Sequence, residues 1–469
     1  MRKKIDLNGA KKVHFIGIGG ISISGLAEIL HRDGFEVSGS DAVDSEKTKE
    51  LRRLGIKIFV PNAAENIAED IDLIVYTAAV KPDNPEFSAA VSRGIRRIER
   101  AAFLAMLLEG YDAICVAGSH GKTTTTSLVA EIALAARLDP TINIGGHMNL
   151  GGSNYRVGDS KTFVLESCEY SNQFSHWHPH IGVILNVDAD HLDFYGNMDN
   201  LIAAFAVFAQ NIRPEGALVI SKDAQGFDEI TRKASCKIVT FGLSSDADFR
   251  AENIIYNEGR PSFDVFFGSE FKARVDLPLP GEYNMLNALA AFAAASRLNI
   301  PPETTARALS EARGTQRRFE YKGSLNGAKI IDDYAHHPTE IRACLAAARK
   351  AATGRVICLF QPHTYTRTKN LLDDFAQSFS DADEIVLLPI FAAREPFDPE
   401  ISSEMLAERI KFEGNDVKFA QNFLEAGNYL TKVLRQNDLL VTMGAGDVYE
   451  VGENMIASKL STLSTEPDE

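Results

Sequence analysis

Three times along the chain an apolar, β-branched run ends in a turn and opens directly onto a helix-period stretch. The first is Val13–Gly20 leading into Ile21–His31, and the second is Ala113–Gly121 leading into Lys122–Ala136. The third is Arg355–Phe360, which passes through Gln361–Thr368 into Lys369–Phe379. A strand followed by a helix that covers it returns the chain to the same edge of the sheet. The alternation therefore predicts α/β layers with mostly parallel sheets. At 469 residues the chain is too long for one hydrophobic core, so two to four domains are expected. One boundary is placed near Glu109–Asp112, where a helical stretch stops at a glycine before a new strand. Another is placed near Ala312–Thr315, after the helical stretches Asn284–Leu298 and Glu303–Arg313. These divide the chain into residues 1–110, 111–313 and 314–469. Within the second part, Val219–Pro280 is richer in strand signals, at Lys237–Phe241, Phe263–Phe267 and Lys272–Leu277. The polar tail Ser461–Glu469 reads as frayed.

The formal net charge of -15 opposes binding to nucleic acid or to an anionic membrane surface, because both would repel the chain. A local pocket can still accept small anions. No apolar run approaches membrane-spanning length, and the glycine-broken start reads as strand and turn, not a signal peptide. The cysteines Cys115, Cys168, Cys236, Cys344 and Cys358 are odd in number and widely spaced. That pattern suits a reduced, cytoplasmic compartment with thiols mostly buried as small apolar groups.

The sharpest local signal is GSHGKTTTT, Gly118–Thr126, placed between an apolar strand and a helix. Backbone N–H groups of a glycine turn and the positive end of a helix cradle phosphate oxygens. Gly118, Ser119, His120, Gly121, Lys122, Thr123 and Thr124 are thus candidates for holding a nucleotide triphosphate. Lys122 can reach a terminal phosphate, and the Thr123 hydroxyl can ligate Mg²⁺. The loop is two residues shorter between its glycines than the usual Walker pattern, which points to a particular subfamily.

A second glycine turn, FIGIGGISISGLA at Phe15–Ala27, is followed by Asp41 about 20 residues on, as in a dinucleotide fold. Ser22 stands where that fingerprint requires glycine or alanine. A nucleotide diphosphate other than NAD, or a tight turn with no ligand, fits as well.

Glu166 ends the apolar strand Thr162–Leu165, and Glu169 follows three residues later. The next apolar strand, Ile181–Val187, ends in Asp188, Asp190, His191 and Asp193. Acids at the carboxyl ends of parallel strands sit where ligands bind, and hard oxygen ligands suit Mg²⁺. Asn284 and Asn287 are three apart at a helix start. They can face a purine edge, or act as a cap and a solvated amide. Farther on, Arg317, Arg318, Asp332, Asp333, His336, His337, His363 and Arg367 lie near the ends of β-like runs. Loops after strands concentrate function, and arginine forks suit carboxylates and phosphates.

GSHGKTTTT, the Glu166 strand end, DADHLD, GEYNMLNALAA, GTQRRFE and DDYAHHPTE stand in the order seen in Mur ligases. FIGIGGISISGLA with GSD, and YTAAVKPDNPE at Tyr76–Glu86, add to the match. The chain thus resembles that family from about Val13 to Asp447. The acid segment departs from the pattern of many members, with Cys168, Tyr170 and Ser171 replacing polar or acidic groups. The glycine turn, DDYAHHP and FQPHTYTRT resemble the branch that adds L-alanine to UDP-N-acetylmuramic acid. The absence of lysine between Lys161 and Lys222 agrees, since that branch lacks the carbamylated lysine of several siblings.

The resemblance implies three domains: a Rossmann-like one for the UDP-sugar, a P-loop ATPase-like one, and a Rossmann-like C-terminal one for amino acid and ATP. It implies attack of a lactyl carboxylate on the γ-phosphate of ATP, then attack of an amine on the acyl phosphate. Lys122, Glu166, His191, Arg318 and Asp333 would be catalytic, with two Mg²⁺ ions near Thr123, Glu166 and His191. Asn284 and Asn287 would hold adenine, and Arg318 and Asp333 would clamp ATP. Gly19, Gly20, Asp41 and Thr77 would take the UDP-sugar, and His337, His363 and Arg367 the amino acid. The partners expected are small molecules only, with a monomer or homodimer and neither nucleic acid nor membrane. Alternatives are the branch that recycles a murein tripeptide, an NAD-dependent oxidoreductase, and a non-catalytic nucleotide-binding protein.

Overall fold

A computed structural model of the protein describes residues 5–146 and 154–463. The chain forms two compact units, Met1–Arg250 with Leu289–Ala308, and Ala251–Ala288 with Leu309–Glu469.

The first unit holds two parallel sheets. The N-terminal one contains β1 (Lys12–Ile16), β2 (Glu36–Ser40), β3 (Lys57–Phe59), β4 (Leu73–Tyr76) and β5 (Arg96–Glu99) in the order β3-β2-β1-β4-β5. Its helices are α1 (Ile21–Arg32), α2 (Glu46–Arg53), α3 (Pro85–Ser92) and α4 (Arg100–Leu108). Their starts are written in the sequence: Ser45 and Thr48 form a reciprocal capping box on α2, and Asn84 caps α3 with proline next in line.

The central sheet is built on β6 (Asp112–Ala117), whose last five residues are fully covered, as a strand flanked by helices on both faces requires. After it come α5 (Lys122–Ala135), β7 (Thr141–Asn143), β8 (Tyr155–Arg156), β9 (Thr162–Glu166), β10 (Ile181–Ile184), α6 (Leu192–Tyr195) and α7 (Met198–Gln210). Next are β11 (Ala217–Ser221), α8 (Phe227–Lys233) and β12 (Lys237–Gly242). The order is β12-β11-β10-β6-β9-β7-β8, parallel except at β8. The expected strand Ile181–Val187 stops at Ile184. Leu185 still donates to the Ala117 carbonyl, but Asn186 turns out of the ladder to bond the glycine loop.

β13 (Phe249–Asn257) begins in the first unit, where Phe249 and Arg250 pair with β12. In the second unit β14 (Arg260–Phe267) and β15 (Glu270–Asp276) form an antiparallel hairpin. Helix α9 (Glu282–Arg297), rich in alanine and buried nearly all round, is followed by α10 (Pro302–Ser310). The third sheet has the order β16 (Glu320–Leu325), β17 (Ala328–Asp333), β21 (Leu439–Met443), β18 (Val356–Phe360), β19 (Glu384–Leu387), β20 (Val417–Phe419). Only β16 runs antiparallel there. Its helices are α11 (Pro338–Ala351), α12 (Tyr365–Asn370), α13 (Leu372–Ala376), α14 (Ser403–Phe412), α15 (Phe423–Val433) and α16 (Tyr449–Leu463).

The expected helix Lys369–Phe379 is therefore two short helices that begin earlier. Thr364 caps the first with its hydroxyl, and Leu371 leaves helical geometry between them. At the C-terminus, Ser461–Leu463 belong to α16, while 464–469 lie outside the described residues. No helix among the described residues is long and apolar enough to cross a membrane.

Candidate active site

The glycine loop leaves the carboxyl end of β6. Gly118 adopts φ +138°, and a Cβ there would stand 3.1 Å from the Leu185 nitrogen, so the position excludes side chains on two counts. Gly121, also left-handed, precedes α5. Asn186 clamps the loop from the neighbouring strand: it accepts from the His120 N–H at 2.8 Å and donates to the His120 carbonyl at 3.1 Å. Ser119 is exchanged with Asp188 in the same way, and His120 Nε2 lies 3.1 Å from Asp188 Oδ2. Thr123 and Thr124 are buried in the first helical turn.

Lys122 Nζ donates to the carbonyls of Gly118 at 2.5 Å and Ser119 at 3.0 Å, and to Glu169 Oε1 at 3.0 Å. Burial alone would lower its pKa, but the Glu169 carboxylate outweighs burial and holds it above the ordinary lysine value. The ammonium is thus charged and folded back over the loop. Glu169 has one further oxygen, Oε2, fully buried and without a hydrogen bond, though within ion-pair distance of Lys122. Sequence spacing flagged Glu169 without giving it a role, and gave no warning of Asn186. Its only signal is a polar residue breaking an apolar run.

Two clusters of hard donors stand near the loop. Thr123 donates to Glu166 Oε1 at 3.1 Å, while the Gly145 N–H donates to Glu166 Oε2 at 2.7 Å. In the second, one ligand atom each from Glu169, Asp190 and His191 lies within 4.8 Å of the others. His191 Nε2 is 3.8 Å from Glu169 and 3.6 Å from Asp190. A hydroxyl, carboxylates and one imidazole, with a buried carboxylate oxygen lacking a hydrogen bond, are a donor set that fits Mg²⁺. The Asp193 side chain lies outside the described residues.

At the N-terminal turn Asp41 does not point away to a ribose. Its Oδ2 accepts from the Gly19 N–H at 2.9 Å, and a Cβ on Gly19 would meet the same oxygen. Gly20 caps α1, and Thr77 lies across the turn from Gly17. The four residues expected at a sugar nucleotide thus gather around one β1–α1 turn, with Asp41 fixing its shape.

In the second unit Asn284 and Asn287 are both buried, which removes the solvated-amide reading of Asn287. Asn284 donates to the Pro280 carbonyl at 2.7 Å and accepts from Asn287 at 3.3 Å. Arg317 and Asp332 are structural: the guanidinium bonds Asp332 at 3.0 Å and the carbonyls of Gly444 and Gly446. Arg318 shares the Tyr334 ring with Arg317, each guanidinium 5.0 Å from its centroid. Asp333 accepts from the N–H groups of Phe319 and Ala335, each at 2.8 Å. Burial still raises its pKa to about 6, against the opposing charge of Arg318.

His337 caps α11, its Nδ1 accepting from the Thr339 N–H and its own N–H bonding Glu340. His363 follows β18, its ring stacked on Phe391 and its Nδ1 3.4 Å from Arg367. Burial, then the Arg367 charge, lowers its pKa to about 4, so it is a neutral imidazole near pH 7. His336 packs edge-on against His363. Thr364 holds φ +67°, an unusual value for threonine that turns α12 away from the strand end. Buried Gln361, which donates to Asp447 at 3.2 Å, escaped sequence reasoning, as did the glycine loop after β21. Glycines and an amide after a strand look like any other turn.

Three family models match: the Mur ligase family catalytic domain at residues 12–112, the Mur ligase middle domain at 116–295, and the Mur ligase glutamate ligase domain at 317–446. A UDP-N-acetylmuramate–L-alanine ligase of Clostridium novyi (strain NT) is 46% identical, covering 96% of this chain and 98% of its own. One from Lachnospira eligens is 46% identical, covering 97% and 99%. The solved UDP-N-acetylmuramate-alanine ligase of Thermotoga maritima matches with a TM-score of 0.78 at 29% identity, covering 96% and 99%. A murein peptide ligase of Psychrobacter arcticus shares the fold, with a TM-score of 0.66 at 23% identity, covering 98% and 100%. With three domain models in order and relatives of nearly half identical sequence along its whole length, the chain belongs to the Mur ligase family.

Proposed function

We propose that the chain joins L-alanine to UDP-N-acetylmuramic acid, cleaving ATP to ADP and phosphate, in the synthesis of peptidoglycan precursors. The observation that carries the nucleotide half is the Gly118–Thr124 loop with Lys122 held between two carbonyls and Glu169. The names of the relatives at 46% identity support the acid and the amine. They favour alanine over the tripeptide-recycling alternative, whose solved examples are 23% and 28% identical, the second covering 66% of this chain.

The loop N–H groups and Lys122 hold the polyphosphate. Lys122 leaves its carbonyls to follow the charge that develops on the transferred phosphoryl group. Thr123, Glu166 and His191, with Glu169 and Asp190 beside them, would hold Mg²⁺, in our reading two ions. Bound there, magnesium neutralises charge between the incoming carboxylate and the terminal phosphate. The lactyl carboxylate oxygen bonds to the γ-phosphorus as the bond to the β-phosphate oxygen breaks, releasing ADP. The amine nitrogen then bonds to the acyl carbon, loses a proton, and phosphate leaves.

Arg367 pairs with the alanine carboxylate, and His337 and the neutral His363 line that side. Asn284 and Asn287 hold adenine, while Arg318 and Asp333 hold the nucleotide. Gly19, Gly20, Asp41 and Thr77 take the sugar nucleotide. We set the domain limits at 1–110, 111–313 and 314–469. We place the enzyme in the cytoplasm as a monomer or homodimer, in keeping with its free thiols.

The test is phosphate release from ATP with Mg²⁺ and UDP-N-acetylmuramic acid, with L-alanine, without it, and with the murein tripeptide in its place. Alanine-dependent release is expected. Release with the tripeptide alone moves the chain to the recycling branch, and none in any mixture removes the ligase reading.

A further inference from the structure

Beside Glu166 the first unit contains a cavity of about 190 Å³ whose walls include Arg100, Glu166, Cys168, Gln173 and Trp177. Its two charged walls are not alike. Both oxygens of Glu166 are already answered, by the Thr123 hydroxyl and the Gly145 N–H. Arg100, at the first position of α4, has one hydrogen bond among the described residues, to Gln173 Oε1 at 2.5 Å, and no carboxylate at ion-pair distance. Burial lowers its pKa despite the charge of Glu99. Trp177 is 3% exposed and its indole N–H has no partner.

A guanidinium has five N–H donors and an indole one. Such donors, enclosed with so few acceptors, suit a ligand rich in acceptor oxygens. A carboxylate or a phosphate has that chemistry. The cavity shares Glu166 with the loop's Thr123, so an anion on Arg100 stands next to the phosphate-binding corner. The reaction proposed above needs a substrate carboxylate there. Resting on that reading, we infer that Arg100, with Gln173 and Trp177, forms the subsite for the carboxylate-bearing lactyl end of the acid substrate.

Trp177 is the chain's single tryptophan, so its fluorescence reports on this cavity alone. The whole protein is titrated with UDP-N-acetylmuramic acid, with UDP-N-acetylglucosamine (the same nucleotide sugar without the lactyl acid), and with ATP. UDP-N-acetylmuramic acid should shift Trp177 emission, and UDP-N-acetylglucosamine should shift it far less. Arg100→Gln should weaken UDP-N-acetylmuramic acid by about 10- to 100-fold and leave the other two within about twofold. Arg100→Lys should recover part of that loss, and in the ligation assay the variants should lose through KM for the acid, not kcat. Equal weakening of both sugar nucleotides assigns Arg100 to the pyrophosphate and overturns the inference. So does a Trp177 signal blind to UDP-N-acetylmuramic acid, or an unchanged KM. If Arg100→Gln fails to bind ATP, and so to fold, Arg100→Lys and the unmodified protein's titration decide. Failure of the unmodified protein to ligate alanine sinks the proposed function itself; ligation with Arg100 variants of unchanged KM sinks only the subsite.

Discussion

The loop after β6 and the strand ends of the C-terminal sheet occupy equivalent places in their sheets, yet they manage charge in opposite ways. At Gly118–Lys122 the cation is paired in advance: Lys122 is clasped by Glu169 and by two carbonyls. At Asp333 and His363 no such pairing wins. Burial raises the acid to about 6 and lowers the imidazole to about 4. At the first site the Lys122 charge is held far above neutral pH. The second has a neutral imidazole near pH 7 and an acid that gives up its proton only as pH passes about 6. On the roles proposed above, the difference suits a polyphosphate gripped at Lys122 and, beside His363, an amino acid that must be admitted.

The comparison breaks most sharply at Lys122. Lys122→Ala should lower kcat by about 10³-fold, or about 4 kcal/mol of transition-state stabilisation, with the fold intact by circular dichroism. Turnover close to that of the unmodified chain would show the clasp to be structural.

Next comes the titrating region. Asp333 keeps its proton in the folded chain up to about pH 6, whereas an unfolded aspartate loses it near 3.8. Its contribution to stability is therefore full below the unfolded value and falls as pH rises through about 6, by about 3 kcal/mol in all. Asp333→Asn should remove that slope from urea midpoints measured between pH 3.5 and 7, whatever constant cost the amide adds. An unchanged slope would place the titration elsewhere.

Arg367→Ala should raise KM for the amino acid by an amount worth about 2 kcal/mol, with little change in KM for ATP. Equal changes in both constants would take Arg367 out of the amino-acid pocket. The smallest effect belongs to Gly118→Ala. A Cβ at φ +138°, facing Leu185 and Asn186, should cost about 1 to 2 kcal/mol in thermal or urea unfolding and distort the loop. A neutral result would mean that the turn relaxes and is not fixed by the adjacent strand.

The three strand–turn–helix units were legible because each combines an apolar run with punctuation that has a physical meaning. α5 and β18 fall within a residue of their expected limits. The α12–α13 pair was not legible, since only the Thr364 cap and the kink at Leu371, both tertiary outcomes, split one helical stretch into two. In the site, Gly118–Thr124 could be read because its spacing encodes a backbone shape. The separation of Arg317 from Arg318, and of Asp332 from Asp333, could not. Adjacent identical residues look alike in sequence, and only the fold decides which one bonds Gly444 and Gly446. Arg100 and Trp177 carried no motif at all.

The last strand of the chain is not the last strand of its sheet. β21 lies between β17 and β18, so that Met443 is in register with Asp333 on one side and Phe360 on the other. Until the ribosome has delivered Leu439–Met443, the strand bearing Asp333 and the strand that leads to His363 have no shared partner between them. A chain cut short before that point cannot be a weaker ligase. It has two exposed strand edges where a binding surface should be, which is the form that quality control removes.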